Sequence, residues 1–502
     1  MRWPAPYWER KLTIAGLPEH YDKRKHEQSK SFKLRDREEL RGKNLATMLT
    51  FSVAKEYLEE EAFYFVHTLD FRGRAYPVTS HLSPQGNDLN KGLLTFAVSQ
   101  GKPLGQSGVW WLAIHGANCY GKDKLSLEER VAWVTEHQAR ILKTARDPFS
   151  DYWWTEADRG KKAFQFLAFC FEWAGYCEQG ELYVCALPVA VDGSSNVLQH
   201  HAALLKDKEL GTRVNMVPLP KPNDIYQEIC DKLIVKIQGE IKSHGKKRQF
   251  LPAKHWVGQL NRSVLKQPIM TYYYGSKYRG TRQQIEKQVR EQKLVFPKDK
   301  DGKDTTTQCI TWLTSAIRKL IPQEIPAGEA VMKFLQDVAK ACCKAGKPIV
   351  WTTPSGFKVV LDEIDTKPRQ VRTQLFGTLI QLTCNEIVIP PVYSSHKQTG
   401  GISANFIHSL DASAMVMCVK KALPKGIKSF RMIHDGFATV PGDMELFVHC
   451  IRKSFLTMYD ESNLLRDFAL ENLGKDHPLV ASSPKMGKLY LEQIVTAHYF
   501  FA

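Results

Sequence analysis

The chain has 502 residues, of which 43% are hydrophobic and 11% aromatic. That composition excludes a disordered chain, and the length predicts two to four subdomains with a sizeable core. Lys and Arg number 70 against 53 Asp and Glu, a formal net charge of +17, and a folded chain this basic is expected to meet a polyanion. Eleven cysteines without a C-x-x-C pair, many in apolar runs such as FLAFCFEWAGYC, argue against a disulfide framework or a cysteine zinc site and for buried free thiols.

The first residues, MRWPAPYWERK, have no apolar signal core, and no uncharged stretch reaches the roughly 18 residues of a membrane helix; the reading is a soluble, intracellular, monomeric protein with no membrane partner. Residues 1–60 are charged and helical in pattern, with KRKHEQSKSFKLRDREELRGK rich in Lys and Arg. A strand-like run, FYFVHTLDFRGRAYPV, follows within 61–98. Residues 99–182 read as helical and aromatic-rich. Residues 183–191, YVCALPVAV, alternate and carry β-branched residues, predicting one strand. An amphipathic helix is predicted over 223–245, with Ile225, Ile229, Leu233 and Ile237 four apart. A weakly structured basic stretch lies near 296–308, a β-rich segment with a hairpin runs from Ile349 to about Val392, and a helix, NFIHSLDASAMVMCVKKAL, leads into a short apolar hairpin, RMIHDGFATVPG. No internal repeat or low-complexity tract is evident.

Two carboxylates stand out. Asp192 ends the predicted strand before Gly193, and Asp435 sits at the tip of the apolar hairpin. Asp192 alone could equally cap the helix that follows or close an Asx turn. Two such aspartates in one basic chain suggest a shared site for hard Mg²⁺, which takes one or two carboxylates, waters and phosphate oxygens. In NRSVLKQPIMTYYYGSKYRG, Arg262 and Lys266 are four apart and Tyr274 is eight further on. On a helix these project toward one side: two cations able to grip a triphosphate, and a ring able to stack on a base. A basic amphipathic helix with core tyrosines fits the same residues, and Pro268 argues against one continuous helix.

These segments together resemble the catalytic part of the single-subunit, phage-type RNA polymerases, the family of T-odd phage and mitochondrial enzymes. DGSSNVLQHHAALLKD is similar to the family's motif A. Arg262, Lys266, Tyr274 and Gly275 match motif B, and IHDGFAT matches motif C. TLDFRGRAYPV, PQGNDLNKGLLTFA, NFIHSLDAS and the final FFA occur in the family's order, from about residue 20 to 502. The resemblance implies a DNA-directed RNA polymerase with two Mg²⁺ ions, acting on double-stranded or melted DNA template, nascent RNA and NTPs. It implies that Asp192 and Asp435 hold the metal, assisted by the Gly193 carbonyl. Arg262 and Lys266 would bind the triphosphate, and Lys266 would also serve the leaving pyrophosphate. Tyr274 would close the nucleotide site, His408 would contact the ribose 2′-hydroxyl, and Tyr226 would lie near the nucleotide. His434 would lie beside the RNA 3′ end, and Arg72 and Arg74 close to template or hybrid phosphates. In a specificity hairpin over about 357–394, Arg372 and Gln374 share one strand face, as residues suited to guanine and adenine edges do.

The fold implied is α/β, a right-hand polymerase: partial thumb in 1–60, palm in 61–98, 183–207 and 409–502 with a helical insertion at 99–182, and mainly helical fingers in 208–408. The small residues after Asp192 leave room for a 2′-hydroxyl, which points to ribonucleotides. The family often has Cys at Ser195 and Ser at Gly436, both small-for-small changes, while Gln267 stands where phage members can carry a base. The family's large N-terminal domain has no counterpart here, so the chain is expected to be either a minimal polymerase or a piece of a longer one, with templated addition retained and promoter-specific initiation separate from it. A bacterial host cytoplasm is expected for a phage protein, with mitochondria the other setting. A DNA-synthesising or primase-like relative and a catalytically idle nucleic-acid-binding remnant are the competing readings.

Overall fold

The structure, a computed structural model, describes residues 30–244, 251–298, 302–375, 377–389, 392–460 and 462–502. The expected N-terminal helices over 1–29, part of the basic stretch near 296–308 and residues 376, 390 and 391 of the expected specificity hairpin lie outside the described residues. In chain order, the helix Lys30–Glu56 precedes a hairpin of β1 (His67–Leu69) and β2 (Ala75–Pro77). Strand β3 (Lys102–Pro103), helices α1 (Gly105–Cys119) and α2 (Ala163–Gln179), and strands β4 (Val184–Cys185) and β5 (Val189–Asp192) follow. Next come α3 (Asn196–Leu205), α4 (Ile225–His244) and α5 (Arg262–Tyr272), then the hairpins β6 (Ile349–Thr352)–β7 (Lys358–Leu361) and β8 (Thr366–Leu375)–β9 (Thr378–Ile387). The long α6 (Ser395–Ala422) leads to β10 (Arg431–Ile433) and β11 (Gly436–Thr439). The result is a mixed helix and strand protein divided into two compact units.

The first unit is made of the described residues of Met1–Asp70, Ala75–Asp192 and Val419–Cys450. Its core is aromatic. Tyr120 packs its ring 4.8 Å from Trp133 and 4.9 Å from both Trp153 and Phe166, and α2 buries Phe166, Leu167, Phe169 and Cys170 completely. Each such side chain contributes about 1.5–3 kcal/mol. A three-stranded antiparallel sheet in the order β10-β11-β5 lies against α1, where the Ala190 N–H donates to His115 Nδ1 at 3.4 Å. Alternate β5 residues Val189 and Val191 are buried, as are Phe437 to Val440 from β11 onward.

The single strand expected over 183–191 is two strands. Pro188 has no N–H to offer a ladder, and the chain breaks there, so that β4 pairs with β3 and β5 pairs with β11.

The second unit comprises Phe71–Arg74, Gly193–Cys418 and Ile451–Ala502. Every residue of α3 from Val197 to Leu205 is buried. The fourfold spacing on α4 is realised, with Ile225, Ile229, Leu233 and Ile237 all in the core. The segment Ser395–Lys425 is long and apolar enough by length and composition to cross a membrane, but 67% of its apolar 18-residue stretch is buried inside the protein, as in the core helix of a globular protein. All eleven cysteines are free thiols and most are buried.

Candidate functional site

In the first unit, the sheet joins the two aspartates singled out from sequence. Asp192, the last residue of β5, pairs in register with Gly436, the first residue of β11, so their Cα atoms are about 5 Å apart. Asp435 immediately precedes Gly436, in the two-residue turn between Ile433 and Gly436. Two residues 243 apart in sequence thus lie at one end of one sheet, Asp192 ending its strand and Asp435 in the turn that opens the next. Asp192 is exposed and Asp435 half-buried, so neither carboxylate carries the cost of full burial. Buried residues behind the turn, Phe437, Ala438 and Val440, anchor it.

His434 completes the turn with φ +54°, a left-handed backbone that Gly, Asn or Asp more often supply. Strain of this kind costs of order 1 kcal/mol and persists where the surroundings fix it. Here the His434 ring sits edge-on to Tyr76 at 4.9 Å. Cations also lie in the field of this sheet. Burial, then Arg431 and Lys162, pull the Lys91 ammonium below its ordinary range, and Asp192 and Asp88 oppose them.

In the second unit, the residues following Asp192 tie together two clusters. The Ser195 hydroxyl bonds the Tyr226 hydroxyl at 2.7 Å. Tyr226, 3% exposed, lies beneath two cations: Arg262 Cζ is 5.6 Å and Lys266 Nζ 6.0 Å from its ring centroid. Arg262 Nε also donates to Asp224 Oδ2 at 2.6 Å. Asn261 fixes the start of α5, its Oδ1 accepting from the Ser263 and Val264 N–H groups. Arg262 and Lys266 do share a helix face, and α5 runs through Pro268 to Tyr272, so the expected break at the proline does not occur. Tyr274 is not on that helix; it lies in the turn beyond it. Gly275 has φ +86°, and a Cβ there would stand 2.5 Å from the Gly400 carbonyl oxygen, so both conformation and space require glycine.

The second cluster gathers on α6. The Tyr274 ring is 4.8 Å from His408, and Arg72 Nη1 lies 2.7 Å from His408 Nδ1. One turn along, Asp411 is gripped in bidentate fashion by Arg74, whose Nε donates to Oδ1 at 3.0 Å and Nη2 to Oδ2. Asn196 Nδ2 donates to the same carboxylate at 3.3 Å. Arg72 and Arg74, expected at template or hybrid phosphates, therefore have their guanidinium groups on side chains of α6. Gly193 forms a single bridge with Phe501 near the chain's end. Arg372 and Gln374 lie exposed on β8, opposite Gln381 and Leu379 of β9.

A family model for DNA-dependent RNA polymerase matches residues 102–477, well over half of the chain. The chain belongs to the DNA-dependent RNA polymerase family. It is 35% identical to the DNA-directed RNA polymerase of Enterobacteria phage T3 and 34% to T7 RNA polymerase of Escherichia phage T7, in each case over 89% of this chain and 54% of the relative. A third relative, DNA-directed RNA polymerase 3B, chloroplastic, of Nicotiana tabacum, is 34% identical over 92% of this chain and 46% of its own length. The chain thus spans about half the length of the curated relatives it matches.

The donor set of this polymerase-family chain suits Mg²⁺. Among the described residues no group of three or more His, Cys, Asp or Glu could hold a metal ion, so a closed zinc-type cage is not built there. An exposed carboxylate at the end of one strand and a half-buried one in the turn before its neighbour are hard oxygen donors of the kind that Mg²⁺ takes together with water and phosphate oxygens. Asp224 and Asp411 are site residues that carried no expected role. Asp411 had a signal, the single carboxylate of its helix, three residues after His408. Asp224 is an ordinary cap-type residue and had none.

Proposed function

We infer that this chain performs DNA-templated addition of ribonucleotides from NTPs to an RNA 3′ end, releasing pyrophosphate. The reading rests above all on the β5–β11 register, which sets Asp192 opposite Gly436 and beside Asp435. In it Asp192 and Asp435 hold Mg²⁺, with the Gly193 carbonyl, next in the chain, as a further oxygen. Bound there, Mg²⁺ supplies charge neutralisation at the attacking and leaving oxygens of a phosphoryl transfer. Arg262 and Lys266 grip the triphosphate, and Lys266 offers a proton to the departing pyrophosphate. Tyr226 supports both cations from below. Tyr274 closes the nucleotide site, His408 meets the ribose 2′-hydroxyl, and His434 lies beside the RNA 3′ end. Arg372 and Gln374 read base edges from the exposed hairpin.

The arrangement proposed for these residues is a right-hand polymerase. Its palm is built from 61–98, 183–207 and 409–502, its fingers from 208–408, and a partial thumb from the N-terminal helix. Ser194, Ser195 and Asn196 are short, which favours ribonucleotides over deoxyribonucleotides. The test is extension of a preformed RNA–DNA scaffold, with rNTPs and dNTPs in competition, with Mg²⁺ or a chelator, and beside promoter DNA. The expected result is Mg²⁺-dependent extension preferring rNTPs. A dNTP preference favours the DNA-synthesising reading, and salt-sensitive binding without any incorporation favours a non-catalytic binder.

A further inference from the structure

The contact between Arg72 and His408 constrains chemistry at His408. A guanidinium carries only N–H donors and cannot be deprotonated in a protein. An Arg72 nitrogen 2.7 Å from His408 Nδ1 is therefore the donor, and Nδ1 must present its lone pair. The imidazole then carries its one proton on Nε2. The opposite tautomer would set N–H against N–H, and the imidazolium would set a second cation against the guanidinium.

We propose that Arg72 is a positioning residue for sugar selection: it fixes the His408 tautomer, so that His408 offers an Nε2–H donor to the sugar 2′-oxygen. The proposal rests on the reading of His408 as the sugar contact. A donor aimed at the 2′-oxygen gains a hydrogen bond with a ribonucleotide that the deoxy substrate cannot supply.

Two features hold Arg72 in place. Arg74, two residues on, is locked to Asp411 by two hydrogen bonds, and the pair is well buried, with side-chain exposures of 12% and 2%. Asp411 lies three residues after His408 on α6, so the two arginines meet one helix face one turn apart. Between them Gly73 has φ +88°, and a Cβ there would lie 3.2 Å from the Phe357 ring; the loop lies flat on Phe357 because glycine allows both. The Tyr274 ring also packs against the imidazole, with ring centroids 4.8 Å apart. A ring with both contacts is oriented as well as tautomerically fixed.

The test uses the full chain labelled with ¹⁵N-histidine, the His408 signals being those lost in His408→Asn. Native protein is expected to show an unprotonated Nδ1 and a protonated Nε2. Arg72→Met, which removes every donor at similar length, should mix the tautomers. On a preformed scaffold its rNTP-over-dNTP ratio in kcat/KM should fall about five- to tenfold, the worth of one lost hydrogen bond. Arg72→Lys, which keeps a donor, should recover much of both. A native His408 protonated at Nδ1 overturns the proposal without recourse to any variant. So does an Arg72→Met chain, folded by circular dichroism, whose tautomer or sugar ratio is unchanged. If native protein extends no scaffold with any nucleotide, the polymerase reading fails instead, and sugar selection by Arg72 falls with it; the spectrum reports the tautomer in either case.

Discussion

Asp411 shows how a single residue can organise a site without belonging to its expected chemistry. A buried carboxylate is costly unless paired, and here Arg74 and Asn196 both donate to Asp411, 2% exposed. Removing one partner leaves a buried charge, so Arg74→Ala is expected to destabilise the chain by about 3–5 kcal/mol. The double variant Arg74→Ala with Asp411→Ala should cost less than Arg74→Ala alone. Urea unfolding midpoints of the three variants check this. A smaller effect is expected at Tyr226→Phe, which deletes the hydroxyl bonded to Ser195 and should cost about 1 kcal/mol. The sequence displayed Arg74 and Asp411 inside recognisable motifs but could not show that they meet. The pairing spans 337 positions, and local patterning carries no information at that range.

At the scale of elements, strand ends and turns do the positioning. The β5–β11 pairing aligns Asp192 with Gly436, and the Arg262–Tyr272 helix carries two cations over Tyr226. The turn after that helix is the most constrained piece of motif B. Gly275→Ala would force a Cβ against the Gly400 carbonyl and into a left-handed backbone at once. It is expected to lower stability by more than about 1 kcal/mol and to displace Tyr274. Thermal unfolding measures the first effect, and scaffold extension at saturating NTP the second. Most of these elements were legible in the sequence. The fourfold spacing of Ile225, Ile229, Leu233 and Ile237 gave the helix, and alternation placed Arg372 and Gln374 on one face of a strand, which is β8. What was not legible came from residues with two uses. Pro188 looked like one residue of a single strand but ended one strand and freed the next to change partners. Pro268 looked like a helix breaker but is tolerated inside α5. Tyr274 looked like a helix residue by spacing but falls past the last turn.

At the scale of the whole molecule, charge and buried histidines set two responses to solution conditions. A net charge of +17 predicts nucleic-acid binding that weakens steeply as salt rises, with a log–log slope that counts the phosphates neutralised. Acid should destabilise both units. Burial, with Arg431 and Lys162 adding to it, lowers His115 in the first unit to about 3. Burial also lowers His200 and His201 in the second unit to about 3, with His201 and Arg74 contributing at His200. The unfolded chain takes up these protons near the ordinary value of 6.5, and the folded chain does so only near 3. Their contribution is therefore fully present above about pH 6.5 and is lost as pH falls toward 3, by about 1.4 kcal/mol per group per pH unit. Unfolding midpoints between pH 7 and 4 test the direction. The central claim is that Asp192 and Asp435 act as one acidic site for ribonucleotide addition, and the measurement closest to it is single-nucleotide extension of a preformed RNA–DNA scaffold by Asp192→Asn and Asp435→Asn, with scaffold binding measured alongside. Each variant is predicted to lose about 10³-fold or more in extension rate, the several kcal/mol that metal-held oxygens supply, while binding the scaffold about as well as the native chain; extension at the native rate by either variant would contradict the account.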